Sequence, residues 1–145
     1  MVLVTINVNL DNYISIGEKI PEIKKRGLNL SSQTMLNRLQ RISPVDEGLL
    51  RQWFFYNISA DSIEIRTPAP YAPFVNDGTG IYGPRKTPIY SKKIGKPLAF
   101  EVGGKMVFVR MIRGQKPQKF VERSIEYTQN QLENIFIKSV RDVMT

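Results

Sequence analysis

The chain has 145 residues, with 21 Lys and Arg against 13 Asp and Glu, no Cys and no His. Its length suits a single domain over residues 1–145, and its 44 Ile, Val, Leu and Phe residues exceed the roughly 20% share below which chains stay disordered. The missing Cys and His exclude disulfides, thiol chemistry, cysteine or histidine metal sites and every histidine-based nucleophile system, so neither enzyme activity nor a cofactor or metal is expected.

No stretch approaches the ~20 apolar residues of a membrane span, so no membrane partner is expected. Asn7, Asn9 and Asp11 interrupt any apolar run of the signal-peptide kind. With Ile more frequent than Leu and only four Ala, the composition leans towards strands with a few helices.

Residues Val2 to Asn9 alternate, with Val2, Val4, Ile6 and Val8 on one face, and read as a half-buried strand. Asp11 is placed to cap a short helix over Tyr13, Ile14 and Ile16. Pro21 and Gly27 argue against one long helix after it, so Glu18 to Leu30 is read as a helical segment with a bend. A better helix runs from Ser31 or Ser32 to Arg41, where Met35, Leu36, Leu39 and Ile42 form an apolar stripe.

Ser43-Pro44 ends that helix. Leu49 to Ile58 then reads as a strand apolar on both faces, with Leu50, Phe54, Tyr56 and Ile58 on one side and Leu49, Trp53 and Phe55 on the other. A strand covered on both faces needs an internal layer or a partner. Ala60-Asp61-Ser62 is a turn, and Ser62 to Thr67 alternates cleanly, which predicts a hairpin. Tyr71 to Val75 is expected to make one helical turn.

From Tyr82 to Pro97 no periodicity survives Gly83, Pro84, Pro88, Gly95 and Pro97, so an extended loop is expected. Leu98 to Val102 and Met106 to Ile112 form a second predicted hairpin about Gly103-Gly104. Pro117 opens the last helix, whose stripe is Val121, Ile125, Thr128, Leu132, Ile135, Phe136, Val140 and Val143.

The charge is one-sided. Arg85, Lys86, Lys92, Lys93, Lys96, Lys105, Arg110, Arg113, Lys116 and Lys119 face a single acid, Glu101, within residues 85–119. That window carries +9, and the other 110 residues together carry −1. A basic segment on a near-neutral body points to an anionic partner, either nucleic acid or an acidic protein surface. Within it, Arg85, Lys86, Lys92, Lys93, Lys96, Arg110 and Arg113 are the interface candidates, alongside Trp53 and Phe55.

Three segments carry a pattern in combination. Pro44-Val45-Asp46-Glu47-Gly48-Leu49-Leu50-Arg51 joins helix to strand: Pro44 stops the helix, Asp46 is suited to an Asx-turn and Leu50 drops into the core. Pro70-Tyr71-Ala72 is followed by Asn76-Asp77-Gly78-Thr79, and Pro117-Gln118-Lys119-Phe120-Val121 leads into the last helix. Asp77-Gly78-Thr79-Gly80 is not an aspartic-protease loop, because Gly78 separates Asp77 from Thr79, and no Gly-Lys-Ser/Thr ends a phosphate loop here.

In order and spacing these segments resemble the neck and tail-completion proteins that join head to tail in long-tailed bacteriophages. That family typically carries Pro-x-Asp-x-Gly-x-Leu-Arg, then Pro-Tyr-Ala with an acidic residue and Gly-Thr, then Pro-x-x-Phe-hydrophobic before a long C-terminal helix. The resemblance covers residues from about Leu28 to the C-terminus. It departs at Asn76-Asp77, where the family has Glu and an aromatic or aliphatic residue before Gly-Thr. Asp77 would then replace that carboxylate one position later.

The resemblance implies a structural virion protein, assembled in the host cytoplasm. It would form part of a homo-oligomeric ring between the head connector and the tail tube or terminator, with transient DNA passing its channel. The fold expected is α+β. A small, mostly antiparallel sheet of hairpins is packed on one face by the middle and C-terminal helices, leaving sheet surface near Trp53 and Phe55 for a neighbour. The alternative is a basic nucleic-acid-binding module. A small basic ribonuclease using Arg, Lys and Tyr is the further rival.

Overall fold

A computed structural model describes residues 3–7, 18–45 and 48–145. The protein is α+β and divides into two compact units. One, the helix–sheet unit, comprises residues 1–72 and 120–145; the other, the inserted unit, is Pro73–Lys119.

In the helix–sheet unit, β1 (Leu3–Asn7), β2 (Phe54–Ile58) and β3 (Ser62–Arg66) form an antiparallel sheet in the order β1-β3-β2. The N-terminal strand is therefore an edge strand, paired Val4 to Ile65 and Ile6 to Ile63. Its expected continuation through Val8 and Asn9, and the short helix over Tyr13 to Ile16, lie outside the described residues.

Helix α1 (Ile20–Ile42) is one continuous helix of 23 residues, not a bent piece followed by a better one. Pro21 sits in its first turn, where a missing N–H breaks no internal hydrogen bond. Gly27 is not a break either. It is buried, and a Cβ built there would lie 2.3 Å from the ring of Phe136. The glycine lets α1 approach α3 (Phe120–Met144), the long C-terminal helix.

The two helices meet where Gly27 faces Phe136 and where Thr128 Oγ1 donates to Met35 Sδ at 3.4 Å, and both bury small and hydroxylated residues. Gly27, Ser31 and Ser32 of α1 are buried, as are Ser124, Thr128 and Ser139 of α3. Each α3 hydroxyl donates to the carbonyl four residues earlier, Ser124 to Phe120 at 2.8 Å and Thr128 to Ser124 at 2.9 Å. Such back-bonding satisfies a polar side chain that would otherwise cost free energy on burial. Of the stripe expected on α3, Thr128 is buried, Ile125 is exposed and the other members are half-buried, while the buried Ser124 and Ser139 fall outside it.

Helix α1 packs on the sheet through β1 and β3 and on α3. The core is Ile23, Leu28, Met35 and Leu39 of α1, with Val4, Ile63 and Ile65 from the sheet, Phe120 from the start of α3, and Leu50 and Trp53 from the connection before β2.

The expected strand over Leu49 to Ile58 is shorter than read. Gly48 has φ 85°, and a 3-10 turn over Leu49–Arg51 follows, with Arg51 N–H donating to the Gly48 carbonyl at 3.1 Å. Local hydrogen bonding takes the residues that alternation assigned to a strand, and β2 starts only at Phe54. A bulge between Phe55 and Asn57 then shifts the register. An extra residue reverses side-chain parity along a strand. Phe55 thus lies opposite Ile65 before the bulge, and Ile58 lies opposite Ile63 after it.

In the inserted unit, α2 (Ala72–Asp77) leads to a 3-10 turn at Gly80–Tyr82. The Tyr82 to Pro97 stretch is not wholly irregular. Ile89–Tyr90 forms β4 and pairs with β7 (Met111–Ile112). Beyond it, β5 (Leu98–Val102) and β6 (Lys105–Val109) form the second hairpin, with Val102 opposite Lys105. Gly103 and Gly104 both have positive φ, 57° and 79°, as a two-residue primed turn requires. The two predicted hairpins do not share a sheet: β5 and β6 pair only with each other among the described residues.

Candidate functional site: structural motifs and a basic inserted unit

The first motif closes the helix–sheet unit around Ser43. Its hydroxyl donates to the Leu39 carbonyl at 2.6 Å and accepts the indole N–H of Trp53 at 2.9 Å. Its own carbonyl accepts Arg51 Nε at 3.0 Å. Ser43 is 1% exposed and Trp53 3%, so the Ser43 hydroxyl and the indole N–H satisfy each other where water does not reach. Pro44 follows directly and blocks continuation of the helix. Leu50 is buried, while Asp46 lies outside the described residues.

Trp53 meets Phe120 edge to face, with ring centroids 6.2 Å apart and planes at 66°. Trp53 is 3% exposed and Phe120 fully buried. This corrects the expectation that Trp53 is an interface residue: the 3-10 turn sends its side chain into the core. Phe55 is half-buried. The exposed apolar residues of β2 are instead Phe54, Tyr56 and Ile58. The Arg66 guanidinium lies 3.4 Å from the centre of the Tyr56 ring and pairs with Glu64 at 3.3 Å. Removing the Ser43 hydroxyl (Ser43→Ala) leaves the buried Trp53 N–H without its acceptor. The expected loss is about 1–3 kcal/mol, read from the urea midpoint of unfolding.

The second motif and the proline of the third meet inside the inserted unit. Thr79 N–H donates to the Gln115 carbonyl at 2.9 Å, and Gln115 N–H returns a bond to Thr79 Oγ1 at 2.9 Å. Ile81 N–H donates to Arg113 at 2.8 Å. A Cβ on Gly78 would lie 2.9 Å from Pro117 Cδ. Tighter still, a Cβ on Gly80 would lie 2.0 Å from the Arg113 carbonyl oxygen, and one on Gly114 would lie 2.1 Å from that of Thr79. Outgoing and returning chain thus cross with backbone against backbone, which only glycine allows.

Asp77 beside this crossing accepts an amide N–H from Asn76 at 2.9 Å and pairs with Lys119 at 3.5 Å. Gln118 and Lys119 N–H groups donate to the Val75 and Asn76 carbonyls, each at 3.1 Å. Tyr71 is half-buried and Ala72 fully buried. The motif residues described here are thus engaged in packing and backbone bonding. Sequence reasoning missed Ser43 as the hub and Gly114 as half of the crossing. A serine ahead of a helix-stopping proline, and a glycine three residues before Pro117, are the signals that were present.

The interface candidates Arg85, Lys86, Lys92, Lys93, Lys96, Arg110 and Arg113 are all exposed and all belong to the inserted unit. None of the buried apolar side chains lies between Pro73 and Lys119. The hairpin instead exposes its apolar residues. Phe108 is 64% exposed, Met106 58% and Val102 56%, and Ile94, between Lys93 and Lys96, is fully exposed.

Among the described residues no helix is long and apolar enough to cross a membrane, and no group of three or more acidic side chains is arranged to hold a metal ion. Comparison with known proteins finds no match: no family model, no curated protein and no solved structure is significantly similar to this chain.

Proposed function

We propose that this protein is a structural component of a tailed-phage neck, one subunit of a ring between the head connector and the tail. It performs no chemistry and works by shape and charge complementarity. The observation that carries this reading is the division of labour between its units. The helix–sheet unit holds every buried apolar side chain among the described residues. The inserted unit holds a two-stranded hairpin with apolar residues exposed, and an isolated two-stranded hairpin is marginal in water. Such an element gains its stability against a neighbour, which is how an assembly subunit operates.

The order of the three motifs supports the same reading, and their engagement in packing agrees with a scaffold. Repeated heterologous contacts close a ring when the rotation between copies closes. The inserted unit contacts a neighbouring protein in preference to the DNA in the channel. A strongly basic lumen would hold exiting DNA through its phosphates and slow ejection.

Light scattering at low and high salt, with and without duplex DNA, tests the proposal. A discrete ring mass that DNA does not change is the expected result. A chain that stays monomeric and binds DNA, losing it steeply as salt rises, would replace this reading with the nucleic-acid-binding module.

A further inference from the structure

We infer that the hairpin of the inserted unit docks on an acidic protein edge that also offers apolar pockets, and that this partner is not a second copy of the chain. The inference deepens the proposed function and rests on it for the premise that the hairpin has a protein neighbour.

Charge excludes a second copy as the main acceptor. The helix–sheet unit has eleven Lys and Arg and eleven Asp and Glu, so its net charge is zero. The inserted unit has ten against two, a net +8. Docking one copy's hairpin on another's helix–sheet unit leaves that +8 uncompensated, and every added subunit brings another +8 into the same assembly. Self-repulsion of this kind opposes docking through the inserted unit but not a ring closed through the helix–sheet unit, whose charges balance. The compensating negative charge has to come from a different molecule.

Apolar exposure selects the class of that molecule. One face of the hairpin carries Leu98, Phe100, Val102, Lys105, Val107 and Val109, since directly paired residues share a face. Phe100 and Val102 are exposed and Leu98, Val107 and Val109 half-buried, and exposed Met106 and Phe108 lie on the other face. Single-stranded nucleic acid is gripped by aromatic platforms among basic residues. Here most of the face is aliphatic, which suits pockets in a protein and has no counterpart along a phosphate backbone.

The backbone supplies the third feature. A ladder of two strands leaves the outer edges of β5 and β6 unpaired, and exposed edges accept a further strand. Strand addition gives main-chain hydrogen bonds, and alternate side chains then fill pockets. Lys92, Lys93 and Lys96 flank Ile94 just before β5, so the positive charge adjoins the apolar anchor.

The test uses the full chain and three fluorescent probes of equal charge: a peptide alternating Glu and Val, a peptide alternating Glu and Ser, and a short DNA duplex. Fluorescence anisotropy is expected to show the Glu-Val peptide bound about tenfold or more tighter than either other probe, because burying Val side chains adds to the charge term. The triple variant Lys92→Glu, Lys93→Glu, Lys96→Glu is expected to lose that binding while keeping the circular dichroism spectrum of the parent.

Equal binding of the two peptides, or duplex binding as tight as the Glu-Val peptide, overturns the inference. So does no binding of any probe by a chain that oligomerises through the hairpin. A ring that prefers duplex refutes the docking chemistry and leaves the neck reading standing. A monomer that prefers the Glu-Val peptide does the reverse.

Discussion

Replacing Trp53 with alanine is expected to lower the unfolding free energy by about 3–5 kcal/mol. The indole is buried against Phe120 and held at its polar end by Ser43, so truncation opens a cavity and strips the Ser43 hydroxyl of its donor. Since domains of this size are stable by only about 5–15 kcal/mol, that is a large share of the whole. Trp53→Phe keeps most of the packing and loses the hydrogen bond, so its cost is expected to be smaller, about 1–3 kcal/mol. Urea unfolding followed by circular dichroism measures both, and Trp53 is the sole Trp, which rules out intrinsic tryptophan fluorescence for the variants. Equal, small effects from both substitutions would show that Trp53 sits at the surface and would restore it as an interface residue.

Gly114→Ala is expected to have the second large effect, confined to the inserted unit. The glycine has φ 99°, and an added Cβ would fall 2.1 Å from the Thr79 carbonyl oxygen. Backbone cannot swing aside as a side-chain end can, so the two strands of the crossing must part. The bonds at risk are those of Thr79 and Ile81 to Gln115 and Arg113. Loss of amide protection at these positions by at least about tenfold, with the melting of the helix–sheet unit unchanged, is the expected result. Gly103→Ala makes the comparison. Its hypothetical Cβ meets no atom within 4 Å, so only the strain of a positive φ remains. Protection at Thr79 and Ile81 that survives Gly114→Ala would show that the crossing does not organise the unit.

Elements with strong local signals were legible in the sequence. The alternation of Ser62 to Arg66, the Gly103-Gly104 turn and the long helix after Pro117 each appear where expected. The errors fall where tertiary contact overrides a local cue. Gly27 reads as a helix breaker, yet within α1 it is the place where Phe136 approaches. Leu49 to Trp53 has the hydrophobicity of a strand, but the chain leaves Gly48 in a 3-10 turn, so side-chain parity fails and Trp53 goes inside.

The same limit applied to the candidate site. The +9 window was visible as composition, and its separation from the buried core was not, because burial depends on which strands find partners. The strands read over Leu98 to Val102 and Met106 to Ile112 are present, with the second broken at Arg110 into β6 and β7, but the sequence cannot say which of their apolar residues stay exposed in the free chain.

The central claim is that the inserted unit lacks a core of its own and is completed by another protein. Amide hydrogen exchange of the full chain, free and bound to its protein partner, tests it most directly. In the free chain, amides of β5 and β6 are expected to exchange orders of magnitude faster than those of α1 and α3 despite their ladder bonds, and to become protected on assembly. Protection of the hairpin in the free chain equal to that of the helices, or no change on assembly, would contradict the account.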